Sequence, residues 1–576
     1  MSFGRAARAV VVVAALALAL PAAAWAHAAL LRTSPSASGV VSSPPARVLL
    51  TYSEAVEPRF AIVSVTDAGG HRVTAGPPAR SASNPDTLFV PLRPVGQGWY
   101  LVYWRVISAD GHPVRGAFTF AVGPNPGPAP QFVIPSISET AATPRLLIAR
   151  WIVFLSLFCA VGLYVLRVIT ARPVVRAVHG SSLRKVTLAL WISLAIALVA
   201  TPVYALMATA EFAIRSVWSV GSLIPLVRAS AFGRSYLVLE GALALFALAA
   251  AITVFVDRPQ RPQRSVAELL AVSGGLGSAA ACLLVPGIAG HANTTSPRGL
   301  ALAFDWVHLA AASVWIGGLA GLLVLWQSTG DRVRVAALGL VVPRFSRTAL
   351  GSVLLLVGAG TGSAVLHLPT VASLWQTSYG KALVVKVALL CAALLLASGN
   401  LVRTTPRLSA YRARPDLAAG AAVLLRRLIA GETFFVWGAV FAAAVLSSLA
   451  PPSKALAKVS HASARVGPGP VSETVKKNGY TLTVRIAPNR AALPDTFTLR
   501  VTRDGKPVRG ATVVTKFDML DMEMQEQNFA FKEVAPGTYE KSAPALVMVG
   551  HWALTFEVTP PGHAPFEVLI VDRAAG

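Results

Sequence analysis

Two separate sets of residues in this chain have the chemistry to hold a metal ion. The first is His27, which follows a small-x-small cleavage site, Ala24-Trp25-Ala26, after a basic start and an apolar run over 9–20. This order is typical of a secretory signal peptide. Cleavage after Ala26 would leave His27 as the first residue, with a free amine and an imidazole that can close one chelate ring.

The second set is Asp110-Gly111-His112, which supplies a carboxylate and another imidazole two residues apart. Together with His27 it makes a mixed nitrogen and oxygen ligand set of the kind that suits tetragonal Cu(II). Without a metal, Asp-Gly is an ordinary turn signal. The combination predicts an exported chain that handles copper.

Residues 27–122 are predicted to form an antiparallel β-sandwich. Short alternating segments separated by Gly, Pro and Ser are typical of such a fold. A Pro-rich linker is predicted over 123–145. His71, in a Gly-Gly-His-Arg turn, is expected to be solvated and without a partner. The predicted strands are 47–52, 61–66, 87–91, 98–106 and 117–122.

This part of the chain resembles the CopC family of exported copper-binding proteins. The resemblance implies that His27, Asp110 and His112 bind Cu(II), and it aligns Glu54 with a family glutamate near the metal. No Met occurs in residues 27–125, so the Cu(I) site of some family members is not expected here. The matching motifs are His27, Ser34-Pro35, Tyr52-Ser53-Glu54, Tyr103-Trp104-Arg105-Val106 and the stretch 108–116.

The composition indicates a membrane protein. Of the 576 residues, 54% are hydrophobic and 13% charged. Eight apolar stretches of spanning length recur between 146 and 450. Their predicted bounds are about 146–169, 186–210, 235–256, 266–288, 300–327, 348–367, 381–401 and 431–450.

The distribution of basic residues predicts which way the chain crosses the membrane. With residue 27 outside, the loops expected inside carry 17 Lys and Arg and the outer loops four. This positive-inside asymmetry explains much of the net charge of +25, so nucleic-acid binding is not needed to explain the excess of basic residues. Both flanking β domains are then expected outside a bacterial cytoplasmic membrane, in contact with copper ions, lipid and exported copper chaperones.

Three histidines of the membrane part fall on the predicted outer side: His291, His308 and His367. Asp305 precedes His308 by three residues, which places both on one helical face. Polar groups inside a bilayer are costly and usually face a pathway. We therefore predict a copper-entry site from these four residues. Interfacial polarity at a helix start is the alternative for Asp305 and His308.

The same part resembles the CopD family of inner-membrane copper proteins, most strongly over 290–400. The resemblance implies copper import. The matching motifs are Gly290-His291-Ala292, Asp305-Trp306-Val307-His308-Leu309, Trp315-Ile316-Gly317-Gly318-Leu319, Arg344-Phe345-Ser346-Arg347, Tyr379-Gly380-Lys381 and Lys386.

After a linker over 451–470, residues 471–576 are predicted to form a second small β-sandwich that resembles the YtkA-like family. Thioether sulfurs favour Cu(I), which makes this region a candidate Cu(I) site. Core packing of Met is the alternative. The candidate ligands are Met519, Met522, Met524, Met548 and His551, and the predicted strands are 480–486, 496–501, 511–516 and 552–558.

Three functions fit the sequence. The first is copper homeostasis, in which Cu(II) is captured outside and copper is imported without covalent catalysis. The chain has no P-loop, so direct ATP coupling is not expected. The second is an electron-transfer protein in which His308 and His367 ligate a b-type haem. The third is a copper-tolerance buffer without transport. All three Cys lie in apolar spans, so neither exported domain is expected to contain a disulfide.

Overall fold

The structure is a computed structural model. It has two units, one of helices and one of β-sheets. The residues described are 30–36, 39–52, 54–107, 113–124, 143–293, 295–449, 451–491, 494–520, 526–543, 545–547 and 550–574. The signal segment, His27, the Asp110-Gly111-His112 motif, most of the Pro-rich linker, Met522, Met524 and Met548 lie outside these residues.

The N-terminal part is a β-sandwich, as predicted, with two four-stranded sheets in the orders β1-β3-β6-β5 and β2-β8-β7-β4. Alternate residues of each strand face the core; in β3, Val48, Leu50 and Tyr52 are buried. The strands are β1 Leu30–Ser34, β2 Val40–Val41, β3 Arg47–Tyr52, β4 Ile62–Asp67, β5 Ala79–Arg80, β6 Thr87–Pro91, β7 Gly98–Ile107 and β8 Pro113–Val122.

One expectation for this domain was wrong. His71 is exposed but has a partner: its backbone N–H donates to Asp67 Oδ1 at 2.8 Å, and its Nδ1 lies 3.3 Å from Asp67 Oδ2. An exposed pair of this kind contributes little to stability. His71 therefore tightens a turn.

The middle of the chain has eight helices long and apolar enough to span a membrane, which confirms the predicted number. Most extend several residues beyond the predicted apolar stretches, because charged and polar residues continue the helices at their ends. The helices are α1 Pro144–Ala177, α2 Arg184–Ala213, α3 Ala231–Val256, α4 Val266–Ile288, α5 Arg298–Gln327, α6 Val333–His367, α7 Ser378–Ser409 and α8 Pro415–Leu446.

A buried ion network ties α1, α3 and α4 together at one end. Arg172 Nε donates to Asp257 Oδ1 at 2.9 Å, and its Nη2 donates to Glu268 Oε1 at 3.2 Å. Arg167 Nη1 donates to the other oxygen of Asp257 at 3.1 Å. Because each buried charge has an opposite partner, these residues fasten the helices, and they account for one of the basic clusters seen in the sequence.

The C-terminal part also consists of two packed sheets, ordered β10-β11-β12-β17-β16 (with β13 on β12) and β15-β14-β18-β19-β9. Strand β9 pairs with β19 inside the stretch expected to be a linker. The strands are β9 Ala464–Val466, β10 Val471–Lys477, β11 Tyr480–Ala487, β12 Asp495–Arg503, β13 Lys506–Pro507, β14 Thr512–Met519, β15 Gln527–Ala530, β16 Lys532–Ala535, β17 Thr538–Ala543, β18 Gly550–Thr559 and β19 Phe566–Ala574.

Two fully buried carboxyl groups of this domain lie within reach of each other's charge. Burial raises the pKa of Asp495 to about 7 and that of Asp572 to about 6. Asn489 Nδ2 donates to Asp572 Oδ1 at 2.9 Å, and the Arg490 backbone N–H donates to Asp495 Oδ1 at 3.0 Å. The second oxygen of each carboxyl group has no hydrogen-bond partner.

These raised pKa values predict that the domain loses stability as the pH rises from about 4 to about 7. Over that range the folded state holds protons that the unfolded state has released, so the free energy of unfolding falls with pH. Thermal unfolding of residues 464–574 at pH 5 and pH 7.5 should show a lower midpoint at pH 7.5. Asp495→Asn with Asp572→Asn should flatten the difference, and an unchanged slope in that double variant would contradict the assignment.

Candidate functional site

The predicted residues of the membrane part line one cavity. The cavity has a volume of about 180 Å³ and lies among α4 to α8. His291, Asp305, His308 and His367 all contribute to its wall, although they are spread over more than seventy positions of the sequence. The sequence thus identified residues that the fold brings together.

Three local features place the four residues. Asp305 and His308 share one face of α5 because three residues make nearly one helical turn. His367 is the last residue of α6. His291 begins a short 3₁₀ turn just after α4, where it is buried.

The ring orientation of His308 is set by a backbone carbonyl. Nδ1 lies 3.0 Å from the Leu356 oxygen of α6, and because a carbonyl only accepts, Nδ1 must carry the proton. The lone pair is then on Nε2, which is the ligand atom of a metal-binding imidazole. A second hydrogen bond that fixes the ring in this way is the usual arrangement around ligating histidines.

The other two histidines follow the same rule. His291 Nε2 lies 3.0 Å from the Leu449 carbonyl oxygen, so its lone pair is on Nδ1. His367 Nδ1 donates to the Ser363 carbonyl oxygen at 2.7 Å. Its Nε2 lies 3.1 Å from Thr295 Oγ1, whose hydroxyl donates to the His291 carbonyl oxygen at 2.8 Å. In all three rings, one nitrogen is therefore held by a backbone carbonyl oxygen.

Lys386 of α7, a residue of the CopD-like motifs, was not among the predicted entry-site residues, but the structure places it there. Its Nζ lies 3.4 Å from His308 Nε2, so the amine donates to the nitrogen that would otherwise bind a metal. Lys386 also lines the cavity, together with Tyr379 from the same helix. The available signal was one Lys eight residues into an apolar span, where an ionisable side chain is costly and usually functional.

Two glycines leave room for the polar side chains. A Cβ on Gly287 of α4 would come 2.6 Å from Asp305 Oδ2, and one on Gly360 of α6 would come 3.0 Å from His308 Nδ1. The absence of side chains at these positions lets α4 and α6 pack directly against the two groups. The two glycines thus leave space for Asp305 and His308 between the helices.

The cavity is not a closed metal cage. Among the residues that the structure describes, no three His, Cys, Asp or Glu side chains stand close enough to hold one ion together. Separate ligands around one space suit an ion that enters and leaves, because conduction needs binding that is weak or divided among sites.

At the N-terminal sandwich, the described residues nearest to the predicted ligands lie together. Leu30, three positions after His27, pairs with Tyr52 at the end of β3. The Tyr52 ring lies 5.6 Å from that of Trp104, which is three residues before the end of β7. Ile107 and Pro113, the described residues on either side of 108–112, pair with each other at the end of β7 and β8. Half-buried Glu54 follows Tyr52 by two positions.

The candidate Cu(I) residues of the C-terminal domain are not brought together where they are described. Met519 is buried in the core, opposite the buried Trp552 of β18. His551 precedes Trp552 on that strand and is exposed, so it faces the other side of the sheet. Met519 is therefore a core residue, and a Cu(I) site here would depend on Met522, Met524 and Met548.

Comparisons with known proteins agree with this division of the chain. The CopC domain model matches residues 30–123, the copper resistance protein D model (CopD) matches 339–446, and the YtkA-like model matches 474–557. The CopD match includes His367 and Lys386 but begins after His291, Asp305 and His308.

Several relatives are similar over whole chains or over the first domain. The copper transport protein CutJ of Bacillus subtilis (strain 168) is 25% identical over 546 residues, covering 93% of both chains. YobA of Escherichia coli (strain K12) is 35% identical over 99 residues, covering 17% of this chain and 80% of YobA. Copper resistance protein C of Xanthomonas campestris pv. juglandis is 34% identical over 107 residues, covering 18% and 84%.

These similarities extend over the β-sandwich, the membrane helices and the C-terminal sheets. Two of the three relatives are named for copper transport or copper resistance. Eight membrane-spanning helices follow a copper-binding type of domain in one polypeptide. The chain is therefore a multi-pass membrane protein of copper transport or homeostasis, and it belongs to the CopC/CopD family, with a YtkA-like domain after the membrane part.

Proposed function

We propose that this chain captures Cu(II) outside the cytoplasmic membrane and passes copper inward through the cavity among α4 to α8. The observation that carries the proposal is the set of three imidazoles around one space, each with one ring nitrogen held by a backbone carbonyl. Imidazole is a good ligand for copper, and its affinity for Na⁺, K⁺ and Mg²⁺ is low.

In the proposal, the N-terminal domain is the capture site. His27 supplies its amine and imidazole, and Asp110 and His112 complete the ligand set, with Glu54 beside it. The start of β1 and the β7–β8 hairpin lie at one end of the sandwich, which supports this assignment. An exported copper chaperone is the partner that would load such a site.

The orientation in the proposal follows from charge. With α1 running inward, the loops between α1 and α2, α3 and α4, α5 and α6, and α7 and α8 are cytoplasmic. The arginine-rich segments 170–185, 257–265, 328–347 and 402–430 consist of these loops and the helix ends beside them. The cavity with His291, Asp305, His308 and His367 then opens on the outer side. Because the number of spans is even, the C-terminal sandwich is outside as well and can hand copper to, or take it from, the same compartment.

Cellular copper content tests the proposal directly. Cells that produce the full chain should accumulate copper in the cytoplasmic fraction faster than cells that lack it, at equal external copper. Metal analysis of separated cytoplasmic and exported fractions is the measurement. Copper that rises only in the exported fraction would mean a buffer without transport, and a purified protein with a Soret absorption band would favour the haem-based alternative.

A further inference from the structure

We propose that copper leaves the outer cavity through a row of cavities along α5 to α8 and reaches a second cation station formed by Glu432 and Asn400. This inference rests on the proposed function, because it names the onward route from the entry cavity. It assigns a role to a buried carboxylate that the entry site does not use.

Three cavities follow one another along these helices. The outer cavity of about 180 Å³ shares Phe154, His308, Leu309, Lys386 and Ala443 with a middle cavity of about 90 Å³. The middle cavity shares Trp315 with an inner cavity of about 180 Å³. Shared wall residues mean that the three spaces adjoin.

The numbering of the wall residues shows that the row runs along the bundle. From outer to inner, the wall moves forward along α5 from Asp305 to Leu322 and along α7 from Tyr379 to Leu401. It moves backward along the antiparallel helices, reaching Val342 on α6 and Leu425 on α8. At a helical rise of about 1.5 Å per residue, Lys386 and Asn400 are about 21 Å apart along α7, most of an apolar bilayer core.

The middle cavity is an apolar neck. Beyond His308 and Lys386 at its outer end, its wall consists of aliphatic and aromatic side chains and alanines. Such hydrophobic constrictions gate pores by excluding water. Ala312 and Ala439 are the small residues that keep the neck open.

The inner cavity contains a buried carboxylate. Glu432 of α8 lines the inner cavity and is only 2% exposed, although it lies within a membrane span. Asn400 Nδ2 donates to Glu432 Oε1, and Thr404 Oγ1 donates to the Asn400 carbonyl oxygen at 2.8 Å. No basic side chain forms an ion pair with Glu432 among the described residues, so the amide orients the carboxylate and leaves its charge for a cation.

The backbone at Asn400 is also unusual. Residues Asn400–Thr404 form a π-helical turn inside α7. Single π-turns in α-helices are frequent at functional sites. A second π-turn, Leu166–Ala171 in α1, contains Arg167 of the buried ion network. The turn in α7 begins at the residue that holds Glu432.

The ligand chemistry suits release. Glu432 and Asn400 offer oxygen atoms, which hold copper more weakly than the imidazoles of the outer cavity do. A cation that has crossed the neck would meet a negative charge that attracts it and ligands that let it leave. The inner station therefore completes a route whose affinity falls towards the cytoplasm.

Glu432→Gln in the full chain tests the inference. The matched control is Glu240→Gln, which makes the same chemical change in α3, away from all three cavities. Purified variants in proteoliposomes should be given Cu(II) outside, with copper measured in the lumen and copper bound to the protein in detergent. We expect Glu432→Gln to slow uptake by about tenfold or more while copper binding by the N-terminal domain and the outer cavity stays normal, because removing the charge affects only the later station.

A second pair of variants tests the neck without touching a charge. Ala312→Phe should fill the middle cavity and slow uptake, whereas Ala244→Phe, at an exposed position of α3, should not. This pair decides the matter if Glu432→Gln fails to insert. Normal uptake in either Glu432→Gln or Ala312→Phe would overturn the route.

The proposed function fails in a different way. If wild-type protein moves no copper into the lumen, the import proposal is wrong irrespective of Glu432. If wild type transports, His308→Ala loses uptake and Glu432→Gln transports normally, the entry cavity stands and the onward route to Glu432 is wrong.

Discussion

His308→Ala should lower copper uptake by about tenfold or more. Removing only the hydrogen-bond partner of a ligating histidine typically lowers metal affinity or activity by about 10–100-fold, so removing the ligand should cost at least as much. His308 presents Nε2 to the cavity because Nδ1 is tied to the Leu356 carbonyl oxygen at 3.0 Å. It also lines both the outer and the middle cavity, so every ion on the proposed route passes it. Cytoplasmic copper in cells with matched amounts of inserted protein is the measurement.

The control for this variant is His179→Ala. His179 is exposed, lies in a loop between α1 and α2, and lines none of the three cavities. Cu(II) binding by the N-terminal domain should be unchanged in both variants, because its ligands are separate. Normal uptake with His308 and His367 both replaced would leave them as interfacial polarity, and loss of uptake together with a haem spectrum would favour electron transfer instead.

Adding one residue before His27 should weaken Cu(II) binding by the exported N-terminal domain by roughly 100-fold, because the amine and the imidazole then no longer act as one linked pair. The same change should alter the tetragonal Cu(II) spectrum. Titration of the mature protein with Cu(II), followed by electron paramagnetic resonance, measures both effects. Binding should also weaken at low pH, since the amine and imidazoles must lose their protons to bind.

Asp110→Asn and His112→Ala should weaken Cu(II) binding as well, and His71→Ala provides the matched control in the same domain. His71 is exposed and is held by Asp67 in a turn, outside the predicted ligand set. Tight binding that survives the extension before His27 would show that the N-terminal amine is not a ligand.

The strands and spans were predictable because each leaves a local pattern. Tyr480–Ala487 alternates between buried and outward-facing residues, and the eight spans are long apolar runs bounded by charges, so period and length were enough. The edge strands β2, β5 and β13 have two residues each, too few to show any period.

The site was predictable only in part. The spacing of Asp305 and His308 within one helix indicated that they share a face, and the predicted topology put His291 and His367 on the same side of the membrane. The place of Lys386 in the site follows only from its contact with His308 in the folded structure. The Asn400–Glu432 pair could not be predicted, because it joins two helices at residues 32 positions apart. Met519 shows the opposite error: its residue type suggests a soft ligand, but Phe517, Trp552 and their neighbours enclose it in the core.

On the proposed route, the Lys386 amine would compete with copper for His308. An arriving ion would have to displace it from His308 Nε2, 3.4 Å away, before it gained that ligand. Ions that imidazole binds weakly would not meet this cost, whereas copper would, so the side chain would select cations by the strength of the bond they form. Its flexible four-carbon stem lets it withdraw without leaving the cavity and return once the ion has moved on. Lys386 would thus keep a positive charge in the cavity that Asp305 also lines. This charge would repel the far more abundant alkali and alkaline-earth ions, which bind imidazole too weakly to displace the amine.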